Sequence, residues 1–167
     1  MSLSMYQASI PVFVRNLTNL KTILEKAAAH GQSKKLDEAV LVEARLYPDM
    51  LPLRSQVQIA SDQAKGASRL AGVEPPSFAD TEKTFAELIE RVSKTIDFLN
   101  TLDAASFEGA ETRDITRPIA GKPMTFTGAT FLLNLIYPNF FFHVTTAYAI
   151  LRHNGVEIGK ADFIGKP

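Results

Sequence analysis

Residues 6–31, YQASIPVFVRNLTNLKTILEKAAAHG, set apolar side chains at Tyr6, Ile10, Phe13, Leu17, Leu20, Leu24 and Ala27, recurring at spacings of four and three. Only a helix gathers that spacing onto one face. Gly31 follows the last residue of the stripe and is expected to end the helix, because glycine enters the left-handed conformation beyond a helix terminus without steric cost. Pro11 falls early in the run, so the helix is expected to start close to it, where a missing N–H breaks no intrahelical bond.

Working outward, Asp37 is placed to cap a short helical turn over Glu38-Ala39-Val40-Leu41. A second stripe follows: Met50, Leu53, Val57, Ala60, Ala64, Ala67 and Ala71, opened by Pro48-Asp49 and closed at Gly72. Its alanines imply close approach of a neighbouring helix. Glu74-Pro75-Pro76-Ser77 then breaks the chain, and Ser77 or Asp80 is the expected cap of a third helix bearing Phe85, Leu88, Val92, Ile96 and Leu99, ending near Asn100.

Past Glu111 the period shortens to β-prone runs, Ile115 to Ile119 and Met124 to Phe126, around Ala120-Gly121-Lys122-Pro123. That predicts a small hairpin, with Pro118 confining its first run to an edge or irregular strand. The fourth helix is expected from a Thr127 cap to a stop at Asn154-Gly155. At 100° per residue its core face holds Leu133, Ile136, Tyr137, Phe140, Val144, Ala147, Tyr148 and Leu151. The opposite side is apolar as well, with Phe131, Leu135, Phe142 and Ala149, although Pro138 is expected to kink or offset the helix. Either the hairpin or C-terminal arm covers that side, or a second subunit does, which makes a homodimer through this helix one expectation. The tail GVEIGKADFIGKP reads as a packed, irregular arm. The sum is an all-α fold, a four-helix bundle with a small β-hairpin between the third and fourth helices, forming one domain over residues 1–167 without internal repeats.

Composition narrows the chemistry. The 167 residues contain no cysteine, which removes disulfides, Cys-ligated zinc, iron–sulfur clusters and a thiol nucleophile. Lys plus Arg and Asp plus Glu each number 18, so no basic excess exists to neutralise phosphates, and nucleic acid is not the expected partner. Hydrophobic residues at 46% and charged residues at 22% suit a globular domain that buries roughly 70% of its unfolded surface. The opening MSLSMYQASIPVF lacks the basic flank and apolar stretch of a secretory signal, so a cytoplasmic location is expected. Phe131 to Leu151 is apolar enough to suggest a membrane span, yet it holds Asn134, Pro138, Asn139, His143, Thr145 and Thr146 and reads instead as a buried core helix; no membrane partner is expected.

Few residues are candidates for a site. His143 lies about 60° from the centre of the fourth helix's core face, one turn after Asn139. Asp49 and Gln56 share one edge of the second stripe. These four, His143, Asn139, Asp49 and Gln56, are the polar groups expected to line the bundle interior and bind a ligand, although each has a plainer role as a boundary, capping or solvated residue. His30 and His153 fall at helix ends, where an imidazolium favours the dipole. No Glu-x-x-His pair and no Gly-x-Ser-x-Gly elbow is present, and the glycines of 155–165 follow a helix rather than a strand, unlike a phosphate loop.

Three strings, SMYQASIPVF at the start, ARLYPDMLPLRSQVQIASDQAKG on the second helix and PNFFFHVTTAYAILRHNGVEIGKADFIG at the end, are together similar to the DinB/YfiT-like bundle superfamily, in particular to an uncharacterised bacterial branch carrying only a domain-of-unknown-function label. The resemblance spans nearly the whole chain. It implies the bundle fold, and metal-binding members of the superfamily imply a divalent ion held by one His of the second helix and two His spaced by four on the last, with positions left open for water or substrate. Here His143 matches one last-helix ligand, the position four residues on is Ala147, and the second helix contains no His. His153 sits about 80° around the axis and some 15 Å along it, out of reach of the missing place.

The leading expectation is therefore a DinB-like bundle that has lost the three-His site and binds a small ligand in a polar pocket near His143, with no cofactor. One alternative is a divalent-metal-dependent transferase or hydrolase in which His143 and Asp49 or Asp62 hold the ion. Another is a dimeric interaction module without chemistry.

Overall fold

The computed structural model describes residues 3–165. Met1 and Ser2 of the opening stretch, and Lys166 and Pro167 of the C-terminal arm, lie outside the described residues. The chain runs α1 (Met5–Lys34), α2 (Glu38–Val42), α3 (Leu53–Gly66), α4 (Phe85–Asn100), β1 (Asp114–Ile119), β2 (Lys122–Thr127), α5 (Gly128–Thr130), α6 (Tyr137–His153) and α7 (Lys160–Ile164). A 3₁₀ segment, Ala67–Ala71, prolongs α3, and a π-helical run, Phe131–Ile136, joins α5 to α6. Helices α1, α3, α4 and α6 form the bundle, with α3 against α6 and α4, α1 against α4, and the hairpin between the third and fourth long helices.

The first stripe is the core of α1. Ile10, Phe13, Leu17, Leu20, Leu24 and Ala27 are all buried. The helix begins six residues before Pro11, because Ser4 and Gln7 form a reciprocal capping box that satisfies the first free N–H groups. Nor does Gly31 end it. Gly31 is helical and buried, a Cβ there would stand 3.7 Å from Leu41 of α2, and the helix closes instead at Lys35 with φ 55°. Docking of α2 therefore outweighs the local preference of glycine for a terminus. Asp37 caps α2 as its sequence suggests, its carboxylate accepting from the Ala39 N–H.

Leu53, Val57, Ala60, Ala64 and Ala67 face the core without exposure. The second helix starts later than Pro48-Asp49 implies: Pro52 is its extended N-cap, since a residue preceding proline is kept out of the helical region and Leu51 is such a residue. Met50 thus falls in the preceding turn. Gly72 does close the segment, with φ 73°. At α4 the cap is Thr84, in a capping box with Glu87, and neither Ser77 nor Asp80 serves. Asp80 is held by Arg91 instead.

β1 and β2 pair antiparallel from Asp114 opposite Thr127 to Ile119 opposite Lys122. Ala120 and Gly121 make the turn, both with positive φ, 47° and 78°, the geometry of a two-residue hairpin loop. Pro118 faces Pro123, so neither donates to the ladder.

The largest departure from a straight helix lies in the last bundle helix. Thr127 caps it as expected, accepting from the Thr130 N–H. Leu133 is nevertheless 57% exposed and Phe131 fully buried, the reverse of the straight-helix assignment. The π turn explains the exchange. The Tyr137 N–H bonds the Leu132 carbonyl five residues back, next to Pro138, which has no N–H to give. One extra residue per turn rotates everything before it by about 100° relative to everything after it. Phe131 then packs against Phe126 of the hairpin, with ring centroids 6.3 Å apart, so part of the second apolar side is covered within the chain. Beyond the turn, Phe140 meets Phe13 edge to face at 4.9 Å, and the Tyr137 hydroxyl donates to the Ala8 carbonyl.

The C-terminal arm is more regular than glycine-rich sequence suggests. α7 lies on α1, held by Lys26 to Asp162 at 2.6 Å and by the Asn19 amide to the Phe163 carbonyl at 3.0 Å. Among the described residues no helix is long and apolar enough to cross a membrane.

Candidate functional site

His143 and Gln56 meet across the α3–α6 contact. Pro52 sets the start of α3 so that Gln56 falls on its first full turn, 1% exposed, with Nε2 donating to the Leu51 carbonyl at 2.9 Å. The Oε1 of the same amide lies 2.7 Å from Nδ1 of His143. The imidazole is half-buried, and burial pushes its pKa below the ordinary histidine value. Phe142, 55% exposed, stands edge to face against it at 5.2 Å. No hydrogen bond to Nε2 of His143 exists among the described residues, and that atom is not sealed in the interior. Chemically, the pair presents one neutral imidazole nitrogen beside the exposed aromatic carbon of Phe142.

The other candidates do not join it. The Asn139 amide turns back to the Leu135 carbonyl at 2.7 Å, satisfying backbone beside the Pro138 irregularity. Asp49 sits in the exposed turn before α3, without a hydrogen bond or ion pair among the described residues. Asp62 is committed elsewhere, to Arg91 at 2.9 Å and Lys65 at 2.8 Å. No group of three or more His, Asp or Glu among the described residues is placed to hold a metal ion. The residues present therefore do not fit a three-ligand metal centre: Gln56 and Ala147 offer neither a second nor a third imidazole, and the carboxylates proposed to stand in for them are exposed or already paired.

Sequence reasoning missed a second polar centre, at Arg91. Its guanidinium is buried and bonds the Ala79 carbonyl, Glu82, Asp62 and Asp80 at 2.9–3.1 Å, pinning the segment between the 3₁₀ turn and α4. Gln58 adds a bond to Glu82, and Phe78 lies over both Lys65 and Arg91. Burial would raise the Glu82 carboxyl, but the hydrogen bonds from Arg91 and Gln58 outweigh it and hold the pKa below the usual carboxylate value. The signal was present: Arg91 follows Leu88 by three and precedes Val92, a charge on the apolar stripe. A cavity of about 340 Å³ opens beside this centre, lined by Phe78, Glu82, Glu90, Arg91 and Lys94. His143 does not line it.

The capped helical bundle with an inserted hairpin is the fold of the DinB type. A solved structure of a DinB family member protein from Shewanella denitrificans, at 1.83 Å resolution, superposes with a TM-score of 0.90 and 42% sequence identity, covering 97% of this chain and 92% of that one. Residues 5–164 match the family described as Domain of unknown function (DUF1993), and the chain belongs to that family. No curated protein matches it.

Proposed function

We propose that the protein binds a small molecule at His143, with the imidazole as the polar anchor and Phe142 as its apolar neighbour. The observation that carries this reading is the asymmetry of the ring, with Nδ1 held by Gln56 and Nε2 left without a partner among the described residues. Buried-edge polar atoms are normally satisfied by protein or water, so an unpartnered nitrogen beside exposed apolar carbon is a natural anchor for a ligand. The test is an amide NMR screen of small metabolites against the wild type and His143→Ala. Hits should perturb His143, Gln56 and Phe142 together and disappear in the variant; hits that cluster elsewhere, or survive the substitution, defeat the reading.

A second reading, the homodimeric interaction module, draws on Phe142 and Leu133, which are 55% and 57% exposed on the last helix. A second copy covering Phe142 would remove that carbon from water. A metal-dependent transferase or hydrolase has no comparable support, because Asp62 is already neutralised by two cations and Asp49 is solvated in a turn.

A further inference from the structure

The hydrogen-bond chain through Gln56 fixes more than a distance. The Leu51 carbonyl can only accept, so the amide nitrogen of Gln56 must face it, at 2.9 Å. The oxygen of the amide, which carries no hydrogen, then faces the His143 ring at 2.7 Å. An amide oxygen and an imidazole nitrogen at that separation require a proton between them, and the ring must supply it. Nδ1 is therefore the N–H of a neutral ring and Nε2 is the bare, accepting nitrogen. A free imidazole in water prefers the opposite arrangement, so the relay imposes its own tautomer. The α3 start at Pro52 makes this possible, since it brings the Leu51 carbonyl within reach of a side chain five residues later.

We propose that Gln56 is a positioning residue that holds His143 as the Nδ1–H tautomer, and that the site selects molecules bearing an O–H or N–H donor on an apolar body. The donor meets Nε2, and the body lies against Phe142, which is exposed and edge to face with the imidazole. A ligand offering only an acceptor at that place would set two lone pairs against each other. This rests on the reading of His143 as a ligand anchor, but the tautomer itself does not.

The experiment has two arms on the full chain. In the first, nitrogen NMR of the imidazoles at pH 7.5 reads the tautomer of His143 in the wild type, Gln56→Leu and Gln56→Glu. The wild type should show a protonated Nδ1 and a pyridine-like Nε2. Gln56→Leu should revert to the Nε2–H form, and Gln56→Glu should keep Nδ1–H while raising the His143 pKa, which also covers the case in which the leucine variant misfolds. A wild-type ring protonated on Nε2, or a tautomer unchanged in Gln56→Leu, overturns the relay. In the second arm, phenol and pyridine, matched in size but opposite in hydrogen-bond role, are titrated. Phenol should move the Nε2 resonance and bind at least threefold more weakly to Gln56→Leu, whereas pyridine should leave it in place. Pyridine binding as well as phenol overturns the donor preference. Silence of both probes with an intact Nδ1–H tautomer defeats the ligand reading while the relay stands.

Discussion

Oε1 of Gln56 lies 2.7 Å from Nδ1 of His143 across 87 residues of chain, and the half-buried imidazole that it meets makes folding sensitive to pH. Burial lowers the His143 pKa below 6.5 in the folded chain, so between that lowered value and 6.5 the unfolded chain binds the additional proton. The stabilising contribution is thus fully present above 6.5 and drains away as pH falls through 6.5 towards the folded value. Urea titrations of the wild type and His143→Gln from pH 7.5 to 5 isolate it, because all other groups are common to both. The wild type should lose ground to the variant on acidification; a difference between them that is flat with pH counts against a depressed His143.

Arg91 should matter more to stability than any other single charge described. Its side chain is 2% exposed and serves Glu82, itself 11% exposed, together with the more solvated Asp62 and Asp80. Arg91→Leu strands a largely buried carboxylate, and loss of one partner from such a pair costs about 3 kcal/mol, the lower end of the usual range because Asp62 and Asp80 can turn to water. Arg91→Lys should recover little of it, since one ammonium cannot span the Ala79 carbonyl and carboxylates on separate segments. The midpoint of guanidinium unfolding reads both. A loss below about 1 kcal/mol for Arg91→Leu makes the centre a solvated network rather than a clamp.

Gly128, immediately after the Thr127 cap, is required by space alone. A Cβ there would stand 1.8 Å from the Ala110 carbonyl oxygen and 3.1 Å from Leu70, and the opposing atom is backbone. The neighbouring Ala129 N–H bonds the Glu111 carbonyl at 3.0 Å, so the two strands of chain cannot part without losing that bond. Gly128→Ala should therefore destabilise by about 3 kcal/mol, the upper end for overpacking, despite the better helix propensity of alanine. Thermal unfolding checks it, and an unchanged or raised midpoint would mean that the Ala110 segment yields freely.

Much of this architecture was legible because it depends on period. The stripes of α1, α3 and α4 bury most of the residues their spacing marks, with Tyr6, Met50, Ala71 and Ile96 only partly covered, and the turn residues Ala120 and Gly121 sit where the hairpin needs positive φ. Helix ends were less legible. Gly31 and Pro48-Asp49 carry proper local signals, and tertiary docking of Leu41 and the restriction imposed by Pro52 override them. The face of the last helix was misassigned at Leu133 and Phe131 because a fixed 100° step was carried through the offset that Pro138 marks; proline signals an irregularity but not the size of the phase change that a π turn imposes. Of the site, the pairing of His143 with Gln56 follows from their places on facing stripes. The absence of Asn139 and Asp62 from that pair does not, since each is drawn off by a partner, the Leu135 carbonyl and Arg91, that spacing alone does not reveal.

Phe142 separates the two readings of the last helix. Its ring is 55% exposed and touches the His143 ring, so Phe142→Glu removes apolar carbon from the surface without opening a core cavity. Monomer stability should shift by no more than about 0.5 kcal/mol, as for surface changes in general. If a second copy covers this face, a buried carboxylate at the interface is not tolerated, and light scattering should show the mass falling from dimer to monomer across a micromolar concentration series. If the face instead holds a small molecule, the mass stays constant in both proteins while phenol binding at His143 weakens in the variant, because the ring that shelters the donor is gone. A wild type that is monomeric at every concentration removes the dimer outright, and the phenol titration alone then decides whether Phe142 walls a ligand site.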